Sequence, residues 1–107
     1  VKLFPEREIQ QAYDHAAEGG QALHVYRSLW GNGKAPACFQ NAKEWGHLLD
    51  QDRARLERTA HALGVRRVVI HLPRTNKQHV DLCGAPLRRA IRQATAAPEQ
   101  VQEALPC

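Results

Sequence analysis

Residues 65–87 read Val65-Arg-Arg-Val-Val-Ile-His71, Leu72-Pro-Arg-Thr-Asn76, Lys77-Gln-His-Val-Asp-Leu82 and Cys83-Gly-Ala-Pro-Leu87. The first run is β-branched and reads as a strand. Pro73 and Asn76 mark a turn, and Lys77–Leu82 follows as a second strand with Val80 and Leu82 on one face. Because the turn is short, the two strands are expected to pair antiparallel. Gly84-Ala-Pro86 then opens a helix in which Leu87, Ala90, Ile91 and Ala94 form an apolar stripe opposite Arg88, Arg89 and Arg92.

Toward the N-terminus, Leu49, Leu56, Ala60 and Leu63 fall on one stripe of a helix, with Asp50 as N-cap and Gly64 just past its end. Trp45-Gly-His-Leu-Leu49 suits either a short strand or the lead-in to that helix. Residues 22–30, Ala22 to Trp30, are rich in strand formers. Pro5, the acids Glu6 and Glu8, and Ile9, Ala12, Tyr13 and Ala16 at helical spacing predict a helix over 5–18, ended by Gly19-Gly20. Gly31 to Pro36 is a loop without the GxxxxGK[ST] spacing that cradles a phosphate. Ala96-Ala-Pro98 breaks the last helix and leaves residues 96–107 as a polar tail. The order α-β-(loop)-α-β-β-α describes an α/β fold: a small mixed sheet of three or four strands with about three helices, as one domain over 1–107. So small a sheet predicts a homodimer paired through a sheet edge or helix face.

Composition agrees with one modest core. The chain has 107 residues, 43% of them hydrophobic and 24% charged, which excludes a disordered or collagen-like chain and a two-domain enzyme. No run approaches the ~18 apolar residues of a membrane span. Cys38, Cys83 and Cys107 have no CxxC spacing, so a reduced, cytoplasmic protein is expected, with Cys83 a small buried thiol. The net charge of +4 is concentrated in residues 51–75, where Arg53, Arg55, Arg58, Arg66, Arg67 and Arg74 face only Asp52 and Glu57. Arginine grips phosphate or carboxylate with two parallel N–H groups, so nucleic acid or an acidic protein is the expected partner, against an ordinary solvated surface.

One constellation carries chemistry. A period of two sets His79 and Asp81 on the strand face opposite Val80 and Leu82, and antiparallel pairing brings His71 to the same face. His47, before the second helix, could reach the same region. These four residues are the candidate ligands of a divalent metal; alternatively His79, oriented by Asp81, is a general acid–base beside an anion held by Arg88, Arg89 and the helix start at Gly84. The competing structural reading makes Asp81 the cap of the turn before the last helix, with His79 hydrogen-bonded to it. His15, His24 and His61 read as surface or helix-face positions. Trp30 and Trp45 suit core packing, or stacking on a base.

Trp45-x-His47-Leu-Leu, Ala60-x-x-Leu63-Gly64, His79-Val-Asp81-Leu and the Arg88-Arg89-Ala helix resemble, over residues 25–94, a family of small bacterial proteins of unassigned function. Its members carry Trp-x-His-Leu and His-Tyr-Asp-Leu segments. The family's Tyr-Val-Asp strand is Val25-Tyr26-Arg27 here, without the acid. The resemblance implies the fold order and the choice of His47, His79 and Asp81, and no reaction. The favoured function is a binding module whose Arg-rich faces contact nucleic acid or an acidic partner; the alternative is a small His/Asp-dependent hydrolase or phosphotransfer enzyme, with or without a metal.

Overall fold

The computed structural model describes residues 1–27 and 44–104, with side chains as far as Thr95. Strand β1 (Lys2–Pro5) leads through a 3-10 turn (Glu6–Glu8) into helix α1 (Ile9–Ala17). Strands β2 (Gln21–Tyr26) and β3 (Trp45–Asp50), helix α2 (Arg53–Ala62), strand β4 (His79–Leu82) and helix α3 (Gly84–Ala104) follow. The sheet is mixed, in the order β1-β2-β3-β4, with β1 parallel to β2 and the other pairs antiparallel. Among the described residues the architecture is therefore a small α/β fold with a four-stranded sheet and three helices.

The two sheet faces are covered unequally. Leu23, Val25, Leu48, Val80 and Leu82 point to one face, where Leu56, Ala60 and Leu63 of α2 and Leu87, Ala90 and Ala94 of α3 close the main core. On the other face α1 packs Ala12 and Ala16 onto Phe4, Ala22 and Leu49. Beyond α1 this second face carries His24, Tyr26, Trp45, His47, His79 and Asp81, fixed there by the registers His24↔His47 and His47↔Asp81. Gly46 lets the layers close: a Cβ there would stand 2.9 Å from the His24 carbonyl oxygen and 3.1 Å from Leu87 Cδ1.

Several expectations are corrected. Lys2–Pro5 is a strand ahead of the first helix, which begins at Ile9. Its only buried residue is Phe4, and its hydrogen-bonding partner lies twenty residues on, so no local period announces it. Trp45–Asp50 is a strand, and the N-cap of α2 is Asp52, whose side chain accepts from the Arg55 N–H at 3.1 Å. Asp50 is instead fully buried and ion-paired with Arg55 at 2.7 Å. The β-branched run Val65–His71 is not a strand: β3 takes the inner edge of β4, and only His71 bridges to His79 on the outer one. Val65, Val68 and Ile70 lean on the main core without joining the sheet. Helix α3 continues past Pro98 to Ala104 instead of breaking at Ala96. The expected loop Gly31–Pro36 and Trp30 lie outside the described residues.

Cys83, at the junction of β4 and α3, is buried and disulfide-bonded, so the free thiol expected there is corrected. No helix among the described residues is long and apolar enough to cross a membrane.

Candidate metal centre

Three segments deliver the site. His47 comes from the middle of β3, and His79 and Asp81 stand two apart on β4, so all three project from one sheet face. His71 joins through its backbone bridge, with His71 N–H donating to the His79 carbonyl at 2.8 Å and the reverse bond at 3.1 Å. The turn between them is tied internally. Thr75 Oγ1 donates to the Leu72 carbonyl and accepts from the Lys77 N–H, while Gln78 Oε1 accepts from the Arg74 N–H. Leu72 and Arg74 take positive φ values of 50° and 63°, which the tightness of this turn imposes.

The carboxylate is the hub. Asp81 Oδ1 lies 3.2 Å from His79 Nε2 and 3.5 Å from His47 Nε2, and Oδ2 lies 3.2 Å from His71 Nε2. Side-chain exposure separates the members: 16% for His47, 12% for His79 and 17% for Asp81, against 45% for His71. The His47 and His79 rings stack 4.4 Å apart, and the row continues through Trp45 to Tyr26, which stack at 4.1 Å. One ligand atom from each of His47, His79 and Asp81 fits within 4.8 Å of the others, the spacing of a metal site.

Hydrogen bonding fixes the tautomer of His79. Its Nδ1 stands 2.7 Å from the Lys77 carbonyl oxygen, which can only accept, so Nδ1 carries the proton. In the neutral ring Nε2 is then a lone pair aimed at Asp81. Oδ1 is itself buried and accepts no hydrogen bond. A lone pair facing an unsatisfied carboxylate oxygen is repulsive, so the contact calls for a second proton on Nε2 or a cation between the two.

The titration behaviour has the same origin. Burial, with His79 alongside, pushes His47 down to about 4, leaving it a neutral imidazole near neutral pH. Burial also works against a charged His79, but Asp81 and the Lys77 carbonyl outweigh it and raise this group above the ordinary histidine value. For Asp81, burial would favour the protonated acid; the imidazoles around it, His79 foremost, outweigh that and hold it below the usual carboxylate value.

Of the residues expected from the sequence, the fold gathers His47, His71, His79 and Asp81 at one place. It does not bring Arg88 and Arg89 to them. Those residues ride on α3, which packs on the opposite sheet face, and Arg89 Nη1 donates to the Leu63 carbonyl at 2.8 Å, tying α3 to the end of α2. Gly84 starts α3 with a positive φ of 59°. His24 was expected at the surface but is fully buried, with Nε2 3.0 Å from the Glu6 carbonyl oxygen and Nδ1 unpaired. Its period-two partnership with Tyr26, facing His47 across the strand pair, was the signal for its place on this face. No family model, curated protein or solved structure matches the chain.

Proposed function

We propose that this protein is a metal-assisted hydrolase or phosphotransfer enzyme whose centre is His47, His79 and Asp81. The observation that carries the reading is the buried Oδ1 of Asp81, which accepts no hydrogen bond while two imidazole Nε2 atoms stand 3.2 and 3.5 Å away. The tie from His79 Nδ1–H to Lys77 is the outer support that metal-bound histidines commonly have. A divalent ion held there supplies a Lewis acid and a water acidified toward neutral pH. The half-exposed His71 sits where it can pass a proton between the centre and solvent.

The test uses the full chain, stripped of metal and then offered zinc, cobalt, manganese, magnesium or calcium. Uptake of one equivalent with a raised melting temperature is expected, together with phosphoester or ester cleavage that His79→Ala and Asp81→Ala abolish. Failure of every ion to bind would end the reading.

A second reading has its own support. From Arg58 to Thr95 the chain holds eight Lys and Arg and only one acid, Asp81, which the histidines already surround. Arg58, Arg66, Arg67, Arg74, Arg88 and Arg92 are exposed. Such a surface suits a nucleic-acid backbone better than a protein, because arginine forks match phosphate. Binding to a mixed-sequence duplex that weakens steeply with salt, and weakens further in Arg66→Ala with Arg88→Ala, would support it; salt-insensitive binding would not.

The disulfide at Cys83 favours an oxidising compartment over the cytoplasm read from the cysteine spacing. Pairing of two copies through the outer edge of β1 is the matching proposal for oligomeric state, and light scattering checks it.

A further inference from the structure

Resting on the metal reading above, we infer that the centre is a four-coordinate site of zinc type with one open position, in which His71 is a positioning residue that keeps Asp81 monodentate. The juxtaposition is divided between the two carboxylate oxygens. Oδ1 faces His47 and His79, whereas Oδ2 faces His71 at 3.2 Å. A carboxylate oxygen only accepts, so the proposed role places the His71 proton on Nε2, within reach of Oδ2 at 3.2 Å. With Oδ2 engaged, Asp81 has one oxygen left for a metal.

Ligand chemistry and spacing agree on the class of ion. Two imidazoles and one carboxylate oxygen exclude calcium and magnesium, which require oxygen shells. The same residue types also hold ferrous iron in six-coordinate facial sites. At octahedral bond lengths of about 2.1 Å, neighbouring ligand atoms stand about 3.0 Å apart. Tetrahedral zinc, with bonds of about 2.0–2.2 Å, sets them about 3.3–3.5 Å apart. The 3.5 Å from Oδ1 to His47 Nε2 matches the tetrahedral spacing, and the 3.2 Å to His79 Nε2 lies between the two but nearer the tetrahedral one. Three protein ligands leave a fourth position for water or substrate, as catalytic zinc sites do.

His71 is suited to this task and not to ligation. It approaches the oxygen that faces away from the other two imidazoles, and it is the most exposed of the four side chains. Freed from His71, Oδ2 could turn onto the ion and raise its coordination number.

Cobalt reports this directly, because four-coordinate cobalt absorbs strongly in the visible and six-coordinate cobalt only faintly. Cobalt is titrated into the full metal-free chain, and into His71→Phe and His71→Gln, with circular dichroism confirming the fold. The expected result is one equivalent with an intense visible band in wild type. In His71→Phe the stoichiometry is unchanged but the band weakens several-fold, and His71→Gln, whose amide N–H can still reach Oδ2, restores most of it. One equivalent with a faint band in wild type would overturn the four-coordinate assignment while leaving the metal reading intact. Loss of cobalt binding in both variants would make His71 a ligand, and identical bands in all three chains would remove its role; either overturns the inference. No cobalt uptake by wild type would instead fail the metal reading itself.

Discussion

His79 Nε2 stands 3.2 Å from Asp81 Oδ1, an ion pair when the ring is protonated. With His79 Nδ1–H committed to Lys77, only a metal or an added proton makes this contact attractive. Asp81→Asn removes the anionic ligand at nearly constant shape. The metal-free variant should melt slightly below wild type, since the surrounding imidazoles favour the charged carboxylate. Its larger effect is on ligation: an ion at a hundred times its dissociation constant stabilises wild type by about 2.7 kcal/mol, and the variant should lose most of that. Calorimetry with and without zinc reads both numbers, and equal metal-induced shifts in the two proteins would contradict the assignment.

The two stacked histidines should pull stability in opposite directions with pH. His47 titrates near 4 in the folded chain against 6.5 in the unfolded one, so its contribution is present above 6.5 and is lost as pH falls from 6.5 toward 4. His79 is raised in the folded chain, so its contribution is complete below 6.5 and is lost as pH rises through its folded value. Asp81, depressed below 3.8, adds a loss confined to lower pH. Denaturant titrations of the metal-free protein should show stability falling between pH 6.5 and 4, and His47→Gln should flatten that fall. An unchanged slope in His47→Gln would place the acid sensitivity elsewhere.

Elements with a strong local period were legible from the sequence. Leu56, Ala60 and Leu63 mark α2, Leu87, Ala90 and Ala94 mark α3, and all six are buried as their spacing predicts. What escaped depends on partners distant in the chain. Nothing near Lys2 announces a parallel strand, and nothing in Val65–His71 reveals that β3 has taken the inner edge of β4. Asp50 looks like a helix cap because its role depends on Arg55, Gln21 and Gln78 meeting around it. The site was legible in part: alternation put His79 and Asp81 together, whereas the closeness of His47 depends on the β3–β4 register. Arg88 and Arg89 were misplaced because adjacency in sequence says nothing about which side of the sheet a helix takes.

Gly46 should resist even the smallest side chain. Its missing Cβ leaves room for the His24 carbonyl, a backbone atom fixed by the β2–β3 ladder, and for Leu87 of α3. Backbone at 2.9 Å cannot swing aside as a flexible side chain can. Gly46→Ala should therefore destabilise by about 1–3 kcal/mol, the usual cost of overpacking. Equilibrium urea unfolding measures it, and a loss under ~0.5 kcal/mol would mean that the strand pair has slack.

Arg55 should matter beyond its surface appearance. Asp50 is fully buried, and Arg55 meets it with Nε at 2.7 Å from Oδ2 and Nη2 at 2.7 Å from Oδ1. The same guanidinium donates to the Gly19 and Gly20 carbonyls, joining the end of α1 to the start of α2. Arg55→Leu strands the carboxylate, with Gln21 and the Asp52 N–H as remaining donors. Breaking a fully buried pair costs about 3–5 kcal/mol; the Arg55 side chain is 38% exposed, so about 2–3 kcal/mol is expected after discounting for solvent. Adding Asp50→Asn to Arg55→Leu removes the stranded charge and should recover part of the loss. A double variant no more stable than Arg55→Leu alone would show that the arginine acts through the glycine carbonyls and not through Asp50.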